Sequence, residues 1–354
     1  MPRMQKVVVF GDSLSDIGIM AHTGLGAAAA WGGGMVVNSS GRYSDSKNWT
    51  DHMLEEATNG QKTLVYDNPK TTTAASKIHQ SFNSKCKVEY AANEECHFMY
   101  ANYATGGACG DTPHNRKEKM VLETFEGQVQ KFKDNMLGLP APRGPWLFFV
   151  WFGANDLFTA GAPPASMMQL AEHIVSVTIR LKGYLEDIRR ESSHYIFMNL
   201  AYPESTPRYK DDDYLKKNNL TQADVKDLYW GVKEFNGRLR GCAGSERVVD
   251  IASLMQGQPL LDMVAVYNVR MSAAPKGSSA NPRLGPADAY LTTEDGVHPT
   301  TRVYKRIWQE IRSKLQENQY TFGSLFTPPP AAAPQASPQG SGAPTATPTA
   351  APSS

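Results

Sequence analysis

The sequence predicts an α/β fold, a three-layer α/β/α sandwich around a central, mostly parallel sheet. Two observations predict it. Four short apolar segments are continuous rather than alternating, which marks strands buried on both faces. Between them run amphipathic stretches with apolar residues three and four apart, the period of helices that pack on such a sheet. Strand and helix in alternation imply right-handed crossovers between parallel neighbours.

Taken in order, the strands are expected at residues 7–10, 146–151, 195–200 and 247–252. The helical stripes are Leu122, Phe125, Val129 and Phe132, then Leu170, Ile174, Val177, Leu181, Leu185 and Ile188, then Val225, Leu228, Val232, Phe235 and Leu239. Each stripe reads as core. Three stretches rich in Gly, Ser, Asn or Pro, 23–41, 59–100 and 256–289, interrupt the pattern. In an open parallel sheet such excursions commonly build the crevice at the strand C-terminal ends.

Residues 1–326 are expected to form a single domain. Beyond Phe326 the chain is almost entirely Pro, Ala, Ser, Thr, Gly and Gln, a composition that buries too little apolar surface to offset its ordering entropy. A disordered tail, 327–354, is therefore expected, and it is a candidate for contacts with other proteins.

The 354 residues carry 36 basic and 35 acidic side chains, a formal charge of +1. That balance offers no basic stripe to neutralise phosphates, so nucleic acid is not an expected partner. No apolar run approaches the roughly 20 residues that span a bilayer, which leaves at most transient contact with a membrane surface. Six residues precede the first apolar segment and leave no room for a cleavable leader. The expectation is a cytoplasmic protein, one exported by a leaderless route, or a chain already trimmed of its leader.

Residues 7–16, Val-Val-Val-Phe-Gly-Asp-Ser-Leu-Ser-Asp, put Ser13 where a buried strand ends in a turn that glycine permits. A hydroxyl there is exposed as a nucleophile must be, and a helix beginning after it would offer backbone N–H groups to a developing oxyanion. The competing reading is a plain Ser/Asp helix cap. Two further motifs supply donors: Asn102-Tyr-Ala-Thr-Gly106-Gly107 and Gly153-Ala-Asn155-Asp156. A glycine N–H approaches a carbonyl oxygen without a side chain in the way, and an asparagine amide adds another donor. Each motif in isolation is equally a tight turn.

An acid/base relay is offered by Asp295-Gly-Val-His298-Pro299 ahead of an amphipathic stretch carrying Val303, Ile307 and Ile311. Three-residue spacing lets carboxylate and imidazole meet in one turn. His298 would take the Ser13 proton and return it to the leaving alkoxide, while Asp295 would fix the tautomer. Asp111 and His114 share the spacing, as do Glu94 and His97. Position favours Asp295 and His298, because Pro299 suits the start of a helix.

The four blocks in this order resemble the GDSL, or SGNH, lipase/esterase family, over roughly residues 6 to 315. The resemblance implies an SGNH-type, flavodoxin-like sandwich and a serine hydrolase with an acyl-enzyme on Ser13. It implies that Asp295 and His298 complete the triad and that the Ser13 amide, Gly107 and Asn155 form the oxyanion hole, with Gly106 as the alternative to Gly107. Asp12, Leu14, Gly106, Trp49 and Phe152 are the candidate substrate-contacting residues. Residues 41–49, Gly-Arg-Tyr-Ser-Asp-Ser-Lys-Asn-Trp, with 151–157, Trp-Phe-Gly-Ala-Asn-Asp-Leu, are similar to the branch of glycerophospholipid:cholesterol acyltransferases and plant GDSL lipases. The Gly- and Ala-rich stretch 24–34 and the polar insertion before the second block depart from it.

The implied substrate is a lipid-like acyl ester, cleaved by water or passed to an alcohol acceptor. A polysaccharide or small-molecule O-acetylesterase is the alternative, and a wide apolar groove near Trp31, Trp49 and Phe152 would argue against it. From another class, the chain could be an inactive binding module on the same scaffold.

No cofactor is called for. Cys86, Cys96, His97 and Cys109 lack the paired spacings of structural zinc, and stretch 24–34 lacks the Gly-Lys-Ser/Thr ending of a phosphate loop. A Cys86–Cys96 bridge would contribute about 2 to 3 kcal/mol in an oxidising compartment, though free thiols are the simpler reading. His22, His52, His79, His173 and His194 show no partner at useful spacing and read as surface or satisfied core.

Overall fold

The computed structural model describes residues 6–22, 37–38, 40–57, 99–111, 123–137, 145–160, 164–257, 264–267 and 290–320. Their strands are β1 (Lys6–Gly11), β2 (Met99–Asn102), β3 (Trp146–Trp151), β4 (Ser193–Met198), β5 (Val248–Val249), β6 (Val264–Tyr267) and β7 (Tyr290–Thr293). The helices are α1 (Trp49–Ala57), α2 (Phe125–Leu137), α3 (Ala154–Ala160), α4 (Pro164–Arg189), α5 (Asp212–Lys217), α6 (Gln222–Ala243), α7 (Ile251–Gln256) and α8 (Thr301–Glu317). The expected tail and residues Trp31, His79, Cys86, Cys96 and His97 lie outside the described residues, as does the 24–34 stretch.

A five-stranded sheet, ordered β2-β1-β3-β4-β5, is parallel throughout, and β6 pairs with β7 separately. The chain leaves β1 to form β2 on one side, then crosses to β3 on the other. That reversal leaves a crevice beyond the carboxyl ends of β1 and β3, where open α/β sheets bind their ligands. Alternation along each strand divides the core in two. Val8, Phe10, Phe148, Val150 and Phe197 pack under α2, α4 and α6, while Val7, Val9, Leu147, Phe149 and Ile196 pack under α1, α7 and α8.

The predicted α/β/α sandwich is therefore the observed architecture, with corrections in detail. Strand 247–252 shrinks to Val248–Val249, because a 3-10 turn (Ser245–Arg247) precedes it and the Asp250 carboxylate accepts from the Ser253 N–H to cap α7. The 195–200 strand ends at Met198. The edge strand β2 falls at the end of a stretch read as a loop. Ile188 is 58% exposed rather than core, since α4 has by then outrun the sheet, and Val225 and Leu228 are only half-buried.

One contact closes the sheet where β2 stops. The ladder from β1 to β2 ends at Val9–Asn102; beyond it the Gly11 carbonyl still accepts from the Thr105 N–H at 3.1 Å, and the Gly11 N–H has no backbone partner on that side. The fully buried Gln128 of α2 takes the strand's place: its Oε1 accepts from the Gly11 N–H at 3.0 Å, and its Nε2 donates to the Gly11 carbonyl at 2.8 Å. Gln128→Leu keeps the volume and strands the Gly11 N–H. It should lower stability by about 2 to 3 kcal/mol, measured by denaturant unfolding; an unchanged midpoint would show that Gly11 finds another partner.

Candidate active site

Each motif places its polar residue at a strand's carboxyl end, and in each the reactive position reaches solvent while at least one adjoining residue stays buried. Ser13, Gly107, Asn155 and His298 are half-buried, whereas Asp12, Gly106 and Asp156 are buried.

After β1 the chain turns tightly. The Ser15 N–H donates to the Asp12 carbonyl at 3.1 Å and the Leu14 N–H to Asp12 Oδ1 at 3.0 Å. The expected helix does not follow. The Asp16 carboxylate instead accepts from the N–H groups of Gly18, Ile19 and Met20 at 2.8, 2.6 and 3.1 Å, and Gly18 sits at φ +101°, outside the helical region. Any oxyanion donor here is therefore a loop amide and not a helix N-terminus.

The same carboxylate accepts from the Gly106 N–H at 2.7 Å, which ties the β1 loop to the β2 loop. Asn102 adds a second tie, donating from Nδ2 to the Ser15 carbonyl at 2.9 Å. With Gly106 so engaged, and its α-carbon against the Tyr43 ring where a Cβ would overlap the hydroxyl, it is neither an oxyanion donor nor a substrate contact. Gly107, at φ +80°, presents an N–H that bonds to none of the described residues, as does Ser13. After β3, Asn155 Nδ2 donates to the Ala108 carbonyl at 2.9 Å, which orients its amide beside the Gly107 turn. Asp156 secures that turn by accepting from the Gly110 and Asp111 N–H groups at 2.8 and 3.3 Å.

The loop after β7 folds on Asp295. Oδ1 accepts from Thr293 Oγ1, the Val297 N–H and the His298 N–H at 3.0, 2.9 and 3.0 Å, and Oδ2 meets His298 Nδ1. His298 Nε2 lies 2.7 Å from Ser13 Oγ. Serine, imidazole and carboxylate thus form one continuous line across 285 positions of sequence. Burial alone would raise the Asp295 pKa, but the imidazole's charge and hydrogen bonds, with the two N–H groups, hold it well below the ordinary carboxylate value. Such a line can pass the serine proton to Nε2 while the carboxylate stabilises the imidazolium.

Contacts from distant segments hold this line in place. The Tyr43 ring packs on His298 with centroids 4.8 Å apart, and Arg208 donates from Nε to the Asp295 carbonyl at 2.8 Å. Asp45 Oδ1 accepts from the Thr301 N–H at 2.6 Å, and the Lys47 N–H donates to Thr301 Oγ1 at 2.7 Å. Thr300 caps α8, so Pro299 is not its first residue but bridges back to Thr292. Sequence reasoning singled out none of Asp16, Tyr43, Asp45 and Arg208 as site residues; the partners that tie them to the site, Gly106, His298, Thr301 and Asp295, lie 87 to 256 positions away, and no spacing rule reaches so far.

Other expectations are corrected. Trp49 is fully buried, with Nε1 donating to Ser15 Oγ at 3.0 Å, and Phe152 is 1% exposed, packed on Phe125. Both are core and support the site from beneath, so neither contacts a substrate. Asp111 faces His173 at 3.6 Å, and His114 lies outside the described residues. His52 does have partners, Glu55 at 3.5 Å and the Thr301 carbonyl at 3.2 Å. Cys109 is buried and Cys242 exposed.

Leu14 borders a largely apolar cavity of about 60 Å³, lined also by Leu200, Ile251, Met255, Val297 and Ile307. The Trp151 indole, 2% exposed, reaches this cavity with an Nε1–H that has no partner among the described residues. No helix among the described residues is long and apolar enough to cross a membrane.

A family model described as GDSL-like lipase/acylhydrolase matches residues 7–311. No curated protein matches significantly. Among solved structures, a lipolytic G-D-S-L family protein from Veillonella parvula is 12% identical, covering 88% of this chain and 96% of its own, with a TM-score of 0.37. A lipase from a goat rumen metagenome is 11% identical over 91% and 100%, with a TM-score of 0.39. A phospholipase A1 from Streptomyces albidoflavus is 12% identical over 88% and 99%, with a TM-score of 0.35.

Asp12 carries a pH signature. Burial, only partly offset by the Leu14 N–H and by His298, raises its pKa to about 7, and its Oδ2 has no partner among the described residues. Because the folded value lies above the unfolded one, the folded chain holds the extra proton between about pH 4 and 7, and stability falls as pH rises through that window. Asp12→Asn removes this contribution. Thermal melts at pH 5 and pH 8 should show the variant gaining on the wild type at the higher pH; a constant difference would mean that Asp12 titrates normally.

Proposed function

The chain belongs to the GDSL-like lipase/acylhydrolase family and is an ester-cleaving hydrolase, and from that premise we propose that Ser13 is its nucleophile. His298 acts as general base toward Ser13 and then as general acid toward the leaving alkoxide, and Asp295 holds the imidazole in its working tautomer. The tetrahedral oxyanion is met by the Ser13 and Gly107 N–H groups and the Asn155 amide. The observation that carries this reading is the unbroken line from Ser13 Oγ through His298 to Asp295.

The acyl portion of the ester occupies the apolar cavity beside Leu14, and the alcohol portion faces solvent. A lipid-like acyl ester is the substrate class that this apolar lining supports. The cavity's small volume, about 60 Å³, favours a second reading, a short-chain or O-acetyl ester of a carbohydrate or small molecule. Water or an alcohol accepts the acyl group from the same acyl-enzyme.

Purified protein is assayed with p-nitrophenyl acetate, butyrate, octanoate and palmitate and with phospholipid vesicles, with and without cholesterol. Ser13→Ala and His298→Ala should each lower kcat by roughly four orders of magnitude or more, and Asn155→Ala by roughly 100- to 1,000-fold. Turnover that survives Ser13→Ala would sink the assignment. Activity confined to acetyl and butyryl esters would select the second reading, and steryl ester formation would select acyl transfer.

A further inference from the structure

Ser13 and Asp295 both meet His298 at its ring nitrogens, Ser13 at Nε2 and Asp295 at Nδ1. Those bonds leave the two faces of the imidazole to other groups. When the ring takes up a proton, the charge spreads over its whole π-system, so whatever lies against a face bears on the stability of the imidazolium. Tyr43 lies there, with ring centroids 4.8 Å apart and planes 36° from parallel.

The Tyr43 ring is held in that position from several sides. It is 6% exposed and packs with Met20 and Ala21. Its hydroxyl end bears on Gly106, where a Cβ would stand 2.0 Å from Oη. Its carbonyl accepts from the Tyr304 hydroxyl at 3.4 Å. Before it in the chain the buried Arg42–Asp51 pair anchors the segment, and after it Asp45 accepts from the Thr301 N–H. A ring so confined stays against the imidazole when the imidazole becomes charged.

The kind of group matters. An aliphatic cover would oppose proton transfer, because it excludes the water that otherwise solvates the cation. An aromatic face does the reverse: its quadrupole turns negative charge toward a cation within about 6 Å of the centroid, and the attraction grows as the pair is withdrawn from water. Burial first, and then the carboxylates of Asp16, Asp12 and Asp295, hold the Tyr43 hydroxyl far above the ordinary tyrosine pKa. The ring is therefore a neutral phenol throughout.

We infer that Tyr43 is a positioning residue with an electrostatic part in the reaction: its face stabilises, by a cation–π contact, the imidazolium that His298 becomes on taking the Ser13 proton. In that step the Nε2 lone pair forms the new N–H bond, and the electron pair left on Ser13 Oγ attacks the ester carbonyl carbon. Asp295 meets the charge at Nδ1 and Tyr43 meets it over the face. This rests on the triad proposed above and assigns a further residue to it.

The test varies the quadrupole while keeping the ring's shape. Tyr43→Phe is the reference, since it removes the hydroxyl and keeps the ring. In the full-length chain, position 43 is then filled with 4-fluoro-, 3,5-difluoro- or pentafluorophenylalanine, and Tyr43→Leu removes the ring altogether. Protein verified as folded by circular dichroism is assayed with p-nitrophenyl acetate and butyrate, with Ser13→Ala alongside. Relative to Tyr43→Phe, kcat should fall stepwise with fluorine count, by about threefold for two fluorines and roughly tenfold or more for five fluorines or for leucine. KM should change less than twofold. A kcat independent of fluorine count, or equal in Tyr43→Leu and Tyr43→Phe, would overturn this inference and leave the triad standing if Ser13→Ala is inactive. Turnover surviving in Ser13→Ala would remove the triad and this inference together.

Discussion

The site depends on the buried carboxylate of Asp16. It accepts four backbone N–H groups, three from its own loop and one from Gly106 in the next. Four charge-assisted bonds to one carboxylate favour its ionised form, yet burial dominates and raises its pKa to about 6. The energetic tension lies in desolvation, and the bonds offset part of it. Because Gly106 is turned inward to reach Asp16, Gly107 is left facing the solvent side with its N–H unspent. The geometry of one loop is thus set by a side chain from another.

The second constraint is the brace between segment 41–49 and the start of α8. Asp45, Lys47 and Tyr43 all reach the His298 region, and the Arg42–Asp51 pair, 2.8 Å apart and almost fully buried, locks that segment onto α1. An ion pair removed from water in this way specifies a position more than it adds stability. Its consequence is that the imidazole approaches Ser13 from a loop supported on both sides, by Tyr43 packed on the ring and by Arg208 bonded to the Asp295 carbonyl.

The reversal of strand order between β2-β1 and β1-β3 explains why three unrelated loops converge. Ser13 follows β1, Gly107 follows β2 and Asn155 follows β3, so each is delivered to the same edge by a parallel strand. For Ser13 and Asn155 convergence was legible as soon as their strands could be read as parallel, because carboxyl ends of parallel strands share one side; for Gly107 it was not, since β2 lies in a stretch that reads as a loop. The support beneath was not. Trp49 and Phe152 looked like substrate surface because aromatic residues beside a motif suit a groove as well as a core, and only the packing under β1 and β3 decides between them. In the same way, a helix is expected to begin after the turn at Ser13, but Asp16 takes up the N–H groups of Gly18, Ile19 and Met20 instead.

Read alone, the sequence determined the α/β sandwich, three of the five strands of the parallel sheet to within two residues at each end, and the short-range pairing of Asp295 with His298. These follow from apolar continuity, helical period and a three-residue spacing, all of which act between near neighbours in the chain. Position in the sequence already favoured His298, and tertiary structure set its Nε2 against Ser13; tertiary structure alone decided that Gly106 turns inward to Asp16 and that the strand expected at 247–252 stops after two residues. Each of these rests on contacts between segments 90 to 285 positions apart or on competition between a side-chain cap and a ladder bond, and such free energies exist only once the chain has closed on itself.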